Sequence, residues 1–302
     1  MKSGKYIDDD IKIESLVKGD KLYHYTTAQS VHGILESESF WVTKHDFLND
    51  KEEFEYAHKL FSEKILSELN DEKIKKEIKK RLEKEIKDNM SGKGSFLNGY
   101  YVLSFSLNSD SLALWSEFSE EAGYCIEFDY DTLEKTLEMT FRWEGKVVYD
   151  RELQLKNMRN HWVEFWEKMF ETPYAEIVNS SEINISEELL DGLVLHVFTL
   201  CSLYGMFYKK PEFKSEEEYR FVFWISHDEN MKGKNKLPLC FRVKNDTMIP
   251  YVEIKCNIIG ATKTITIGPK NNMDIAKRGM ELYCASKGMK VKVKKSKIPL
   301  RY

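Results

Sequence analysis

The spacing of apolar and polar residues changes repeatedly along the chain between a period of two and a period of 3.6. Runs of alternating, β-branched or aromatic residues predict strands, and apolar residues at every third or fourth position predict helices. The predicted strands cover residues 21–25, 40–43, 100–106, 122–129, 143–149, 218–225, 239–243, 249–255, 264–267 and 291–294. The predicted helices outside the charged stretch cover residues 28–36, 111–119, 151–171, 187–208 and 274–287. Strands interrupted by helices, without a regular βαβ alternation, predict an α+β fold.

A highly charged stretch at residues 51–90 predicts two amphipathic helices. The first has the apolar stripe Phe54, Ala57, Phe61 and Ile65, and the second has the thinner stripe Ile74, Ile78, Leu82 and Ile86. Residues 91–95 then form a flexible joint that lacks the spacing of a phosphate-binding loop. The simplest division is one domain, residues 1–302, with a helical insert at about residues 51–92.

One segment is apolar enough to raise the question of a membrane span. Residues 189–208 carry only Asp191 as a formal charge, over a length close to that of a spanning helix. The segment also contains His196, Thr199 and Ser202, and the rest of the chain is hydrophilic. We therefore expect a buried central helix, capped at Ser186, in a protein that does not enter the membrane.

Composition places the chain among globular proteins and gives no sign of a metal site. Hydrophobic residues make up 42% and aromatic residues 13% of the 302 residues, and the net charge is -4. The five cysteines form no CxxC pair, so neither a zinc site nor a redox motif is expected. Buried thiols and a polar N-terminus unlike a signal peptide favour the cytoplasm.

Basic residues accumulate at the C-terminal end. Residues 282–302 contain seven cations and no acid. Such a segment suits contact with phosphates and with a nucleic acid or a protein acceptor, or alternatively it is a solvated edge strand that lysines protect from aggregation. The edge-strand interpretation is the one we favour from the residues alone.

Four clusters contain side chains that are able to bind a ligand or take part in a reaction. His24 ends a predicted strand beside a helix N-terminus, where it either faces a ligand or satisfies a nearby carbonyl. Ser104 and Ser106 share one face of a strand because strand side chains alternate. Ile267-Gly-Pro-Lys270 is either an anion site at a helix N-terminus or a plain turn.

The fourth cluster lies in the sequence FKSEEEYR, residues 213–220. If the strand pleat already holds there, Glu216, Glu218 and Arg220 share one face. Two carboxylates and a guanidinium together form either a candidate active site or a salt-bridge ladder at a sheet edge.

These clusters, in this order, resemble the DUF2971 family. The residues that carry the resemblance are YHYT at Tyr23, ILES at Ile34 with Trp41 and Thr43, and LND at Leu48 with Phe54. They continue with the block from Phe105 to Asp129, the sequence from Phe213 to Arg220, IGP at Ile267 and the closing residues Ser296 to Arg301. The resemblance spans nearly the whole chain, except residues 55–95 and the region around residues 150–200.

The layout of the motifs is similar to that of ADP-ribosyltransferases, including DNA-modifying toxin types. That resemblance implies a mixed or antiparallel sheet core of ADP-ribosyltransferase-like type, with NAD as substrate and no metal. Glu218 would stabilise the oxocarbenium-like ribose, Glu216 would orient or deprotonate the acceptor, and His24 would hold the ribose or nicotinamide end. The residues expected to contact NAD are Tyr25, Thr26, Tyr101, Ser104, Ser106, Trp115, Arg220 and Arg301, with Lys270 as a further phosphate contact.

The motif order also departs from the established pattern. Known classes use His–Tyr–Glu or Arg–Ser–Glu, whereas this chain reads His–Ser–Glu unless Tyr101 or Tyr124 fills the middle role. The resemblance implies an NAD-using transferase or glycohydrolase, in the role of a toxin or phage-defence effector. The alternative is a non-enzymatic module that binds a nucleotide or a partner. The enzyme interpretation requires His24, Ser104 or Ser106, and Glu218 to line one cleft.

Overall fold

The computed structural model describes residues 13–48, 53–90, 99–118, 123–137, 142–179, 186–225, 237–244, 246–270 and 273–299. Within these ranges the chain forms an open, mostly antiparallel sheet of ten strands with helices on both faces. The strands are β1 (Lys21–Thr27), β2 (Ser39–Lys44), β3 (Tyr100–Ser106), β4 (Gly123–Asp129), β5 (Arg142–Lys146), β6 (Glu218–Trp224), β7 (Cys240–Lys244), β8 (Thr247–Lys255), β9 (Thr262–Ile267) and β10 (Lys292–Lys295).

The helices fall between these strands and include two long ones. They are α1 (Ala28–Ser37), α2 (Glu53–Leu60), α3 (Glu72–Met90), α4 (Leu112–Phe118), α5 (Tyr130–Thr136), α6 (Arg151–Phe170), α7 (Tyr174–Asn179), α8 (Glu187–Phe207), α9 (Ile258–Ala261) and α10 (Met273–Ser286). Helix α2 continues into a π-helical turn at Phe61–Ile65, and a 3₁₀ helix at Pro211–Glu216 precedes β6.

Each strand and each helix predicted from the spacing has a counterpart, so the α+β prediction is confirmed. Three short helices, α5, α7 and α9, were not predicted. Helix α5 has seven residues and buries only Tyr130 and Leu133, which is too few apolar positions to reveal a helical period. The predicted joint at residues 91–95 lies outside the described residues.

The sheet forks at β3. Strand β6 pairs with β3 along its whole length, from Tyr100 opposite Trp224 to Ser106 opposite Glu218. The other edge of β3 is shared, because β1 pairs with it at Ser106 and β2 pairs with it at Tyr101 and Val102. The full order is β10-β9-β4-β1-β3-β2-β8-β7, with β6 and β5 branching from β3. Strands β1 and β2 therefore diverge on either side of Ser104.

Two large apolar cores cover the two faces of the sheet. One lies under α1, α5, α9 and α10 and includes Phe105, Tyr219 and Phe221. The other joins Val102 and Val222 to helices α2, α3, α6 and α8. Because residues alternate along β3 and β6, the serines of β3 and the charged residues of β6 belong to the second face.

Helix α8 is long and apolar enough to cross a membrane, but two thirds of its most apolar window, 67%, is buried inside the protein. Two of its polar side chains have partners within the protein: the Ser202 hydroxyl donates to the Phe198 carbonyl at 2.6 Å, and Asp191, on the exposed side, pairs with Arg81 of α3. Ser186 caps its N-terminus by accepting from the Leu189 amide. These contacts fit the predicted buried helix.

Candidate functional site

The charged residues of β6 lie in register with hydroxyl groups on the neighbouring strands. Glu218 is directly opposite Ser106 of β3, and Ser106 is opposite Tyr23 of β1. Arg220 is opposite Ser104. Residues directly opposite each other in a sheet point to the same face, so these five side chains share one face. Of the residues expected to line one cleft, Ser104, Ser106 and Glu218 therefore lie on a common face.

One lysine joins the two glutamates of the predicted cluster. The Lys209 ammonium lies 2.5 Å from Glu216 Oε2 and 3.1 Å from Glu218 Oε2. The side chains of Lys209, Glu216 and Glu218 expose only 8%, 7% and 12% of their surface. We call Lys209, Glu216, Glu218 and Arg220 the carboxylate cluster. Its burial rules out a salt-bridge ladder on the protein surface, which was the alternative interpretation of these residues.

Arg220 fixes the orientation of Glu218. Its Nε and Nη2 atoms donate to Glu218 Oε2 at 3.1 and 2.7 Å, and its Nη1 atom donates to the Met206 carbonyl at 2.9 Å. The side chain is 2% exposed. A guanidinium held in this way cannot reach a pyrophosphate without leaving these partners, so its contacts do not support the expected phosphate contact of Arg220. Its observed position is that of a group that positions Glu218.

Glu216 reaches the cluster from outside the strand. It ends the 3₁₀ helix Pro211–Glu216, and Glu217 then adopts a left-handed conformation with φ of 46° before β6 begins at Glu218. The predicted pleat therefore does not extend to Glu216. The Ser106 hydroxyl secures this turn by donating to the Glu216 carbonyl at 2.8 Å. Glu217 is exposed, and its Oε1 accepts from Asn108 Nδ2 at 2.9 Å.

Lys209 was not predicted because no periodic element carries it. It follows α8 in a short parallel bridge between Tyr208 and Val148. The Gln154 amide donates to the Lys209 carbonyl at 2.8 Å and holds the backbone there. The Tyr149 hydroxyl, also unpredicted, accepts from the Glu218 amide at 2.9 Å. The pair Lys209-Lys210 after an apolar helix was the one sequence signal for this site.

The two carboxylates have opposite pKa shifts. Burial raises the pKa of Glu216 to about 7, reinforced by the negative charge of Glu218 and opposed by Lys209. Burial also acts to raise the pKa of Glu218, but the charges of Arg220 and Lys209 and hydrogen bonds from Lys209 and Ser104 together lower it. At neutral pH Glu218 is therefore a fixed negative charge, while Glu216 exchanges a proton.

His24 lies on the opposite face, so the expected common cleft with Glu218 is wrong. Its ring makes edge contacts with Phe105 at 5.6 Å and Phe40 at 5.8 Å, both in the first core. Its Nδ1 atom is 3.3 Å from the Ser104 carbonyl, at the fork where β1 and β2 diverge along one edge of β3. Burial lowers the pKa of His24 to about 4, so the ring is neutral at pH 7. This geometry matches the structural alternative, in which the histidine satisfies a carbonyl.

The other predicted NAD contacts divide between the two faces. Tyr101 is fully buried in the first core, and Thr26 alternates to the same side as His24. Tyr25 lies on the face of the cluster, but its hydroxyl donates to the Asn108 carbonyl and accepts from the Ser111 amide. Its ring packs against Trp115, which is 1% exposed. The rings of Tyr25, Tyr101 and Trp115 are thus all buried, whereas Tyr23 is half-buried and adjoins Ser106.

The remaining predicted contacts lie at the end of the sheet or outside the described residues. Gly268 closes a turn so tight that a side chain there would come within 2.9 Å of the Gly123 carbonyl and 3.0 Å of the Trp115 ring. This packing accounts for the Ile-Gly-Pro sequence as a turn. Strand β10 is an edge strand, and Lys295 pairs with Asp274 at 2.5 Å. Arg301 lies outside the described residues.

Within the described ranges, no group of three or more His, Cys, Asp or Glu side chains is arranged to hold a metal ion. The site is instead a pair of carboxylates that share one ammonium and face two serine hydroxyls. These are the kinds of group that general acid–base chemistry uses, and they lie on the sheet of an α+β fold.

Residues 114–221 match the model of the family DUF2971, described as a protein of unknown function. The resemblance to that family is thus confirmed over this stretch, which contains all four residues of the carboxylate cluster. Ser104, Ser106 and His24 precede it. No curated protein and no solved structure matches the chain.

We expect the protonation of Glu216 to make stability depend on pH. Its pKa is about 7 in the folded protein and 4.5 when unperturbed, so the folded state binds more protons than the unfolded state between these values. Stability contributed by this group is complete below pH 4.5 and is lost as the pH rises to 7, by about 3 kcal/mol at about 1.4 kcal/mol per pKa unit.

Urea unfolding of the wild type and of Glu216→Gln from pH 4.5 to 8 checks this dependence. The free energy of unfolding of the wild type, minus that of Glu216→Gln, should fall as the pH rises and level off above pH 7. Glu217→Gln serves as the control, because Glu217 is exposed and lies beside the cluster. A difference between wild type and Glu216→Gln that does not change with pH contradicts the assignment.

Proposed function

We propose that this chain is an NAD-using enzyme of ADP-ribosyltransferase-like type, acting at the carboxylate cluster. The observation that carries the proposal is that the two glutamates have opposite pKa shifts. Arg220 and Lys209 lower the pKa of Glu218, whereas burial raises the pKa of Glu216 to about 7. Carboxylate pairs whose environments separate their pKa values are typical of acid–base catalysis. The family match supports no activity of its own, since the family is described without a function.

In the proposed reaction the bond between the nicotinamide nitrogen and the ribose C1′ breaks. The electron pair of the bond leaves with nicotinamide, and positive charge develops on the ribose ring. The Glu218 carboxylate stabilises that charge, both through space and through a hydrogen bond to the ribose hydroxyl next to C1′. Lys209 and Arg220 keep Glu218 ionised and hold its orientation, so no reorganisation is needed when the charge appears.

Glu216 completes the reaction by handling the proton of the acceptor. Near neutral pH a substantial fraction of its carboxyl is ionised and can take a proton from water or from a nucleophile of another molecule. In this proposal Ser104, half-buried between the diverging strands β1 and β2, contacts the ribose. Tyr23, rather than Tyr25 or Tyr101, contacts the nicotinamide end of NAD.

The biological setting remains part of the same proposal. We place the protein in the cytoplasm, where NAD is abundant, with a nucleic acid or a protein as acceptor. A role as a toxin or phage-defence effector rests on the resemblance of the motif order alone.

A second function is favoured by one specific observation, the internal pairing of the cluster. Arg220 is 2% exposed, and Lys209, Glu216 and Glu218 all have partners within the cluster. A buried ionic network of this kind can define a fold without catalysing a reaction. In that case the chain is a module that binds a nucleotide or a partner without turnover.

Incubation of the purified protein with NAD separates these functions. Nicotinamide release is followed by chromatography with water alone, single-stranded DNA, RNA or a protein extract as the acceptor. Release that requires the protein supports the enzyme. NAD binding by calorimetry without release favours the binding module, and the absence of both contradicts a function with NAD.

A further inference from the structure

A second group of residues on the face of the carboxylate cluster has a different character. It lies on the three strands β2, β8 and β7. Trp41 and Thr43 of β2 are opposite Glu253 and Tyr251 of β8, and Tyr251 is opposite Cys240 of β7. Because Thr43 is also opposite Val102 of β3, alternation places these side chains on the same face as Ser104.

Three of these side chains form a layered stack. The rings of Trp41 and Tyr251 are nearly parallel, with centroids 4.6 Å apart and an interplanar angle of 24°. The Arg242 guanidinium lies 5.7 Å from the centroid of Tyr251, and its Nη2 atom donates to Thr43 Oγ1 at 2.7 Å. Tyr251 is buried within the stack. We call Trp41, Thr43, Arg242 and Tyr251 the Trp41 platform.

Trp41 differs from the buried tryptophans of the chain in its exposure. It leaves 49% of its surface in water, whereas Trp115, Trp162 and Trp166 are at most 1% exposed. Its indole is nevertheless fixed in place by the stack with Tyr251. A rigid, exposed aromatic ring on a sheet is a surface on which another flat ring can stack at little entropic cost.

Two further cations lie on the same face, at the ends of β7 and β8. Lys244, at the end of β7, and Lys255, at the end of β8, alternate to the same face as Arg242 and are exposed. Neither lysine has a carboxylate partner in the part of the chain that the structure describes. Glu253, the acid on this face of β8, accepts from the Ser39 hydroxyl at 2.8 Å. On this face of the three strands the cations Arg242, Lys244 and Lys255 therefore outnumber the acid Glu253, which is directly opposite Trp41.

We propose that the Trp41 platform binds single-stranded nucleic acid. An unpaired base stacks on the free face of Trp41, and Arg242, Lys244 and Lys255 contact phosphates of the strand. Sheet surfaces with an exposed aromatic ring and surrounding cations hold single strands in this way, with little preference for sequence. A duplex keeps its bases stacked internally and gains only the charge contacts.

The Trp41 platform and the carboxylate cluster share one face of the sheet. We therefore assign single-stranded nucleic acid, held at Trp41, as the acceptor of the reaction at the cluster. That last step rests on the proposed function, whereas binding at Trp41 does not. The binding of the strand can therefore be measured without any reaction.

Fluorescence anisotropy of a short labelled oligothymidylate, at low and at high salt, tests the proposal. Wild type should bind it more tightly than duplex DNA of the same length, and high salt should weaken the binding. Trp41→Ala should weaken binding about tenfold or more, and Trp41→Phe should retain most of it, because phenylalanine still offers a ring. Glu218→Gln should bind as wild type does, which separates this proposal from the catalytic one.

Strand β7, which carries Arg242, supplies the matched control. Phe241 neighbours Arg242, is 52% exposed and points to the other face, so Phe241→Ala should bind as wild type does. Three outcomes overturn the proposal: no binding by the wild type, equal binding by Trp41→Ala, or equal affinity for single strands and duplexes. Loss of binding in Lys292→Ala/Lys294→Ala, with Trp41→Ala unaffected, also overturns it and moves the contact to β10.

Discussion

Replacing Glu218 with glutamine is expected to reduce NAD-dependent nicotinamide release at least about a hundredfold. The substitution keeps the size of the side chain and most of its hydrogen bonds but removes the negative charge opposite the developing oxocarbenium. Loss of such an electrostatic contact costs about 3 kcal/mol of barrier or more, which corresponds to the expected change in rate. Initial rates of nicotinamide release at saturating NAD measure the effect.

Glu217→Gln is the internal control for this substitution. Glu217 is adjacent in sequence but exposed, and its contact with Asn108 is available to an amide as well. Because the Glu218→Gln substitution leaves Arg220 and Lys209 with less negative charge between them, thermal unfolding of each variant is recorded and rates are taken well below its midpoint. Equal losses of activity in the two variants, or full release by Glu218→Gln, contradict the role of Glu218.

Replacing Lys209 with methionine is expected to lower the free energy of unfolding by about 3–5 kcal/mol. The Lys209 ammonium is the group that bridges both carboxylates, at 2.5 and 3.1 Å. Without it, two buried acids remain close together with a single cation, and removal of one partner from a buried ionic network has a cost of this size. Urea unfolding at neutral pH measures the change.

A double variant and a control identify the cause. Lys209→Met/Glu216→Gln removes the surplus acid as well and should recover at least about 1 kcal/mol of the loss. Lys214→Met, at an exposed position of the 3₁₀ helix that ends at Glu216, should change the free energy of unfolding by no more than about 0.5 kcal/mol. A Lys209→Met protein as stable as wild type shows that the ionic network does not contribute to the fold.

The periodicity of the sequence was sufficient to predict the strands and long helices because each of them buries one regular stripe or one alternating face. Strand β3 has the predicted bounds, and the cap at Ser186 forms as expected. The alternation of β6 also placed Glu218 and Arg220 on one face. Local rules act over a few residues, and these features depend only on local rules.

Features that depend on strand pairing could not be predicted in the same way. His24 and Glu218 lie on strands that pair with opposite edges of β3, and a shift by one residue in pairing reverses the face of a side chain. The order of motifs therefore gave no information on which face His24 occupies. Lys209 was missed because an isolated bridge, rather than a helix or strand, positions it.

The Trp41 platform illustrates the same limit. Trp41 was noted as part of a motif, but its partners Arg242 and Tyr251 are about 200 residues away along the chain, and only the pairing of β2 with β8 brings them together. A single sequence does not specify such pairings.

A crystal structure with a non-cleavable carbocyclic analogue of NAD tests the central claim most directly. The account predicts that the nicotinamide ribose lies on the sheet face of Ser104 and Ser106, with the hydroxyl next to C1′ within hydrogen-bond distance of the Glu218 carboxylate. The Glu216 carboxyl should lie beside Glu218, next to the path by which the acceptor approaches C1′. An analogue bound on the face of His24 and Phe105, or bound with its ribose remote from Glu218, contradicts the account.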